Sequence, residues 1–137
     1  MPDRIEHVAL AVTDLDDALA HMRAVWGLEP SGRERVHDQG VEEATLPLGD
    51  SALQLIAPVG KDSTVARFLS RRGEGLHHIA LEVDDLRAEL RRLEEAGVAL
   101  IDREPRRGGG GHLVAFVHPR GNLGVLVELV ERAPRSG

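Results

Sequence analysis

The 137-residue sequence has no cysteine and no tyrosine, and its aromatic side chains are two phenylalanines and one tryptophan. Without cysteine there is no disulfide, no thiolate metal site and no cysteine nucleophile. So few rings exclude the stacking platforms that hold single-stranded nucleic acid. Positive charge is in deficit too: 17 Lys and Arg against 23 Asp and Glu give a formal net charge of -6. Phosphate backbones need a basic surface, so no nucleic-acid partner is expected, and an anionic small ligand would require locally placed cations. No apolar run approaches membrane-spanning length, and Met1-Pro2-Asp3-Arg4 lacks the apolar core of a signal peptide. The expectation is a soluble, cytoplasmic protein with no membrane partner. The length suits one domain with a real core.

What the chain does have is an internal repeat with a histidine in each copy. Ile5-Glu6-His7-Val8-Ala9-Leu10-Ala11-Val12, followed by Asp14-Leu15, returns as Leu76-His77-His78-Ile79-Ala80-Leu81-Glu82-Val83, followed by Asp85-Leu86. His7 and His78, Ala9 and Ala80, Leu10 and Leu81, Asp14 and Asp85, and Leu19 and Leu90 all keep an offset of 71. Two copies are too few for a solenoid. The reading is an α+β fold of two βαβββ modules paired about a pseudo-two-fold axis, within a single domain spanning 1-137. The first module is placed at 4-60, a linking helix and loop at 61-74, the second module at 75-131 and a flexible tail at 132-137.

Periodicity fills in each module. Residues 4-12 and 76-83 alternate as half-buried strands do. Leu15, Ala18, Leu19, Met22 and Val25 form a helical stripe ending at Gly27, with Thr13 and Asp16 as a weak capping box. Strands are expected near 29-36, 41-48 and 51-57, and a short helix over 63-71. In the second half a helix near 85-96 buries Leu86, Leu90 and Leu93 and stops at Gly97, before strands at 98-103, 112-118 and 123-130. The run Gly108 to Gly111 lacks the Lys-Ser/Thr and following helix of a phosphate loop, so it reads as a flexible turn. His118-Pro119-Arg120-Gly121-Asn122 reads as a connection in which His118 is structural.

The period of two then sorts the side chains. Val8, Leu10 and Val12, like Ile79, Leu81 and Val83, share a face that packs under helices. His7 and His78 fall on the opposite face beside Ala9, Ala11 and Ala80, small neighbours that leave room before an imidazole. His77 falls on the helix-packing side, so His78 is the functional candidate. His21, His37 and His112 have no repeat counterpart and are expected to be solvated. In Leu53-Gln54-Leu55-Ile56 and Val127-Glu128-Leu129-Val130, one oxygen-bearing side chain interrupts an aliphatic run. Two histidines, an amide and a carboxylate on inner sheet faces could satisfy one another around a cation. Imidazoles with two oxygen donors suit a transition metal.

Over about residues 4-131 the chain resembles the vicinal oxygen chelate (glyoxalase-fold) superfamily, and within it the methylmalonyl-CoA epimerase family. The motifs that carry the likeness are Asp38-Gln39-Gly40-Val41-Glu42-Glu43, Gly73 to Ala80, and His118-Pro119 leading to Gly124-Val125-Leu126-Val127-Glu128-Leu129. The linker Ala57-Pro58 with Asp62 to Ala66 fits as well. The resemblance implies metal ligands at His7, Gln54, His78 and Glu128. Gln54 separates the chain from glyoxalase I proteins, which typically carry a carboxylate there. It also implies catalytic carboxylates at Glu43 and Glu128; strand alternation turns Glu43 with Val41 and Thr45, and Glu42 away.

The implied activity is an isomerase that interconverts (2R)- and (2S)-methylmalonyl-CoA by proton transfer at C2 through a metal-stabilised enolate. One divalent ion is expected, Co2+ in preference, with Mn2+, Ni2+ or Zn2+ as alternatives. The substrate is an acyl-CoA and the assembly a homodimer. Lys61, Arg67, Arg71 and Arg72 are candidates to meet coenzyme A phosphates. Two alternatives stand beside this reading: a glyoxalase I-like lyase, and a metal-free drug-binding resistance protein of the same fold.

Overall fold

The computed structural model describes residues 1-134. Two compact units emerge: an amino-terminal unit, His7–His77, and a carboxy-terminal unit in which Met1–Glu6 joins the chain from His78 onward. The first strand, β1 (Arg4–Ala11), runs through both.

In the amino-terminal unit β1 leads to α1 (Leu15–Trp26), then β2 (Gly32–Val36), β3 (Val41–Leu48), β4 (Ser51–Pro58) and α2 (Thr64–Arg72). The sheet order is β2-β3-β4-β1. β4 pairs antiparallel with β3 and parallel with β1, setting Ala9 beside Gln54 and Thr45 opposite Gln54. The helix starts on Asp14, whose Oδ1 accepts from Asp17 N at 2.9 Å. Thr13 is not the cap as expected: its amide and hydroxyl both donate to Glu74 Oε2, at 2.9 and 3.2 Å. At the other end Gly27 adopts φ 66°, a left-handed stop open to glycine at no steric cost. Leu15, Leu19 and Met22 are buried with Val12, Leu46 and Leu55, whereas Val25 is 52% exposed and falls outside the stripe.

The carboxy-terminal unit repeats this order with β5 (Gly75–Glu82, of which residues 78-82 belong here), α3 (Leu86–Glu95), β6 (Arg106–Arg107), β7 (Leu113–Val117) and β8 (Val127–Glu131). Counting the opening residues of β1, its order is β1-β5-β8-β7-β6. The parallel β5–β8 pair sets Ala80 beside Glu128, the counterpart of Ala9 beside Gln54. Asp85 caps α3 through Ala88 N at 3.1 Å, again 71 residues beyond the first copy of that bond. Leu86 and Leu90 are buried against Val83, Ala115 and Leu129.

The strand expected over 98-103 does not form. Ile101 N and Asp102 N both donate to Phe116 O, Leu100 makes a lone bridge to Val117, and the Asp102 carboxylate accepts Phe116 N at 2.9 Å. A short acidic side chain has displaced a backbone partner, which ends ladder pairing there. Edge pairing resumes only at Arg106–Arg107. Of the expected tail, Arg132 reaches Glu6 and Glu82, and Ala133 N donates to His112 Nδ1 at 2.8 Å; residues 135-137 lie outside the described part of the chain. His112 is therefore a partly buried anchor for this segment and not a solvated side chain. Among the described residues no helix is long and apolar enough to cross a membrane.

Candidate functional site

In the carboxy-terminal unit the register decides which side chains meet. His78 precedes Ala80 by two residues on β5, and Ala80 lies beside Glu128, so imidazole and carboxylate share a face. Both side chains are buried, and His78 Nε2 stands 3.6 Å from Glu128 Oε1. That is too long for a hydrogen bond. It is close to the separation of two donors on one cation, which at bond lengths of about 2.1 Å is roughly 3.0–3.4 Å for octahedral to tetrahedral angles. Phe116, paired across from Glu128 on β7, sets its ring edge-to-face against His78, with centroids 5.4 Å apart and planes at 89°. The contact fixes the imidazole's tilt.

The amino-terminal unit builds an equivalent face. His7 precedes Ala9 by two on β1, Ala9 lies beside Gln54, Gln54 opposite Thr45, and Glu43 precedes Thr45 by two on β3. His7, Gln54 and Glu43 thus occupy one side of the sheet, and all three are buried. A carboxylate, an amide and an imidazole are held there away from water, where each needs a polar partner. Ala9 and Ala11 do not leave open space as expected. They pack with Ile56 and with Val65 of α2. Glu34 on β2 lies opposite Glu43 and was not singled out from sequence.

Glu42 shows what Glu43 would be with the other parity. Half-exposed on the reverse face, it accepts from Arg33 Nη2 at 2.6 Å and lies 3.6 Å from Arg35 Nε. The Arg33 hydrogen bond is the chief reason its carboxyl is held below the usual carboxylate range.

Other candidates have local partners or lie exposed. His77 meets a helix, but it is α2: its ring lies 4.8 Å from Phe68. His118 Nδ1 accepts from Arg120 N at 3.0 Å, as a turn residue does. His21 and His37 are exposed. Arg67 donates to Asp62 O at 2.7 Å and Arg72 lies over the Phe68 ring, so both have local partners.

Glu89 escaped the sequence reading altogether. It is 4% exposed on α3, bonded to Arg92 and, at 2.8 Å, to the Met1 amino group. The Arg92 hydrogen bond dominates in holding its carboxyl below the ordinary value of 4.5. It lies three residues after Leu86 and four before Leu93, so helical spacing put it beside the buried stripe although its charge pointed to solvent.

Known proteins are similar to this chain in sequence and fold. Residues 6–116 match the family model described as the Glyoxalase/Bleomycin resistance protein/Dioxygenase superfamily. The ethylmalonyl-CoA/methylmalonyl-CoA epimerase of Cereibacter sphaeroides is 39% identical over 131 residues, 94% of this chain and 98% of that protein. The mitochondrial methylmalonyl-CoA epimerase of Homo sapiens is 36% identical over 127 residues, 92% of this chain and 72% of that protein. A Streptomyces coelicolor methylmalonyl-CoA epimerase variant, solved in complex with 2-nitronate-propionyl-CoA, superposes with a TM-score of 0.93 at 38% identity, covering 100% of this chain and 99% of that one. The fold, the repeat and these likenesses converge: the chain belongs to the Glyoxalase/Bleomycin resistance protein/Dioxygenase superfamily and, within it, to the methylmalonyl-CoA epimerase family.

Proposed function

We propose that this protein interconverts the (2R) and (2S) forms of methylmalonyl-CoA, with one divalent cation held by His7, Gln54, His78 and Glu128. The observation that carries this reading is the buried pair of His78 Nε2 and Glu128 Oε1, 3.6 Å apart in the carboxy-terminal unit; the amino-terminal unit buries His7 at the equivalent position of its own repeat. Gln54 faces the same way as His7 by register and supplies a fourth, neutral oxygen. Such a mixed nitrogen and oxygen set fits Co2+, Mn2+, Ni2+ or Zn2+, and cobalt is our choice. A bound divalent ion supplies Lewis acidity at the thioester oxygen, where charge gathers when C2 loses its proton.

The chain's own residues do the rest. Two imidazoles and an amide are neutral donors, so a dication site stays net positive whether Glu128 is protonated or ionised, which suits a substrate bearing a carboxylate. Inversion needs a proton carrier on each side of planar C2. Glu43 takes the proton on one side as the C2–H electron pair moves into the thioester carbonyl. On the other side Glu128, which enters this direction of the cycle as the carboxylic acid, gives its proton to C2 as that pair comes back to carbon and is left as the carboxylate. The two carboxyl groups then exchange roles for the reverse reaction, so no oxidant, reductant or co-substrate is consumed. Each positioned acid or base contributes on the order of 10²–10⁴-fold.

A homodimeric, cytoplasmic enzyme is part of this proposal and rests on the family resemblance. A glyoxalase I-like lyase is less well served, because Gln54 stands where a carboxylate would be expected. A metal-free drug binder gives no reason to bury His7 with Gln54, or His78 with Glu128. The test is exchange at C2: in D2O the protein should move deuterium into methylmalonyl-CoA while interconverting its epimers. Protein that carries the metal and leaves C2 protonated sinks the proposal.

A further inference from the structure

β6 is only two residues long, yet it places two arginines on opposite faces of the carboxy-terminal unit's sheet. Arg107 turns one way and donates to Gly111 O at 2.8 Å. Arg106 lies opposite Val114, Val114 opposite Val130, and Phe116 opposite Glu128. By alternation, then, Arg106 shares the face of His78, Glu128 and Phe116. Its guanidinium carbon lies 5.7 Å from the Phe116 ring centroid, and the same ring contacts His78 from another side.

The guanidinium is also incompletely satisfied. Its Nε is buried and has no hydrogen-bond partner among the described residues. The nearest carboxylate oxygen, Asp102 Oδ2, is 3.6 Å away and already accepts Phe116 N at 2.9 Å. Asp102 therefore orients Arg106 by charge without consuming its donor. A buried cationic donor left without an acceptor is costly, and a ligand oxygen removes that cost. On a chain of net charge -6, this is the locally placed cation that an anionic ligand requires.

We propose that Arg106 is a substrate-binding residue that grips an oxygen of the coenzyme A arm. The assignment rests on the acyl-CoA reading of the site. Because both contacts are made to one ring, the guanidinium carbon is at most about 11 Å from the His78 imidazole centre. Edge strand β6 is also two strands away from Glu128's strand, a lateral spacing of about 10 Å. The malonyl carbons must lie against the metal ligands, so at that remove the substrate presents its thioester arm. Two oxygen acceptors on that arm share the required chemistry: an amide carbonyl and a phosphate. Arginine's planar fork suits either.

Calorimetric binding of coenzyme A and of pantetheine, which has no phosphate, to the metal-loaded wild type, Arg106→Met and Arg106→Lys tests this directly. Methionine keeps the apolar stem over Phe116 and removes the donors. We expect Arg106→Met to weaken coenzyme A binding about tenfold and Arg106→Lys to recover part of the loss. KM for methylmalonyl-CoA should rise by a similar factor with kcat within about twofold, a split that a merely structural role would not produce. A tenfold loss for both ligands identifies the amide carbonyl; a loss for coenzyme A alone identifies a phosphate. Unchanged coenzyme A affinity in Arg106→Met, or wild-type protein that binds no coenzyme A, overturns the assignment. Coenzyme A binding that depends on Arg106 in a protein inert toward C2 overturns the epimerase reading and leaves this one standing.

Discussion

Replacing Glu43 by glutamine isolates proton transfer from everything else the site does. Glu43 is 8% exposed on an interior stretch of β3, flanked by β2 and β4, and glutamine has nearly its shape. The fold should therefore tolerate the change at a cost below about 1.5 kcal/mol. Its distance from the ligands follows from register. Thr45 is opposite Gln54 and Glu43 is two residues farther along, so Glu43 and Gln54 are diagonal neighbours with Cβ atoms about 7–8 Å apart. That spacing puts the carboxylate within side-chain reach of a substrate carbon bound beside Gln54. Loss of a positioned base costs on the order of 10²–10⁴ in rate, about 3–5 kcal/mol of barrier. Epimerisation followed by proton NMR in D2O should fall at least about a hundredfold, with metal per chain unchanged by elemental analysis. Turnover within about threefold of wild type would refute the role of Glu43. Loss of metal along with activity would refute its separation from the ligands.

Three further outcomes follow from packing and charge. Glu89→Gln should lower stability by about 2 kcal/mol near neutral pH, the usual worth of a hydrogen bond to a charged group. Because the folded state depresses this carboxyl, chiefly through Arg92, its contribution is present above the ordinary glutamate value and is lost as pH falls through the lower folded one. The wild type and the variant should therefore converge in acid, as urea titrations at several pH values would reveal. Asp85→Ala should cost about 1 kcal/mol by removing the bond to Ala88 N; a thermal midpoint equal to wild type would contradict the cap. Gly121→Ala should destabilise by about 1–3 kcal/mol, because its Cβ would stand 2.8 Å from Ala99 O and 2.9 Å from Val98 Cγ1. An unchanged denaturation curve would mean that the neighbouring loop yields freely.

The repeat made much of this architecture legible. An offset of 71 that links His7 to His78 also links the caps Asp14 and Asp85, and the same pattern sets Ala9 beside Gln54 and Ala80 beside Glu128. Alternation was enough to turn Glu43 inward and Glu42 toward Arg33, because a strand paired on both sides has no freedom to rotate its faces. What escaped were features decided by single side chains competing for backbone groups. Asp102 accepts Phe116 N and erases the strand expected at 98-103, and Glu74 accepts Thr13 N and shifts the cap to Asp14. Glu89 and Arg106 escaped as well. The charge of Glu89 masked a position at helical spacing from Leu86 and Leu93, and a two-residue edge strand leaves Arg106 no periodic trace.

Cobalt(II) titration into chelator-treated protein, followed through its visible absorption, tests the shared cation most directly. Binding should saturate at one ion per chain, and His7→Ala, His78→Ala and Glu128→Ala should each weaken it by roughly a hundredfold or more, because each removes a donor from a closed set. Saturation at one ion with all three variants binding as tightly as wild type would place the metal elsewhere and contradict the account.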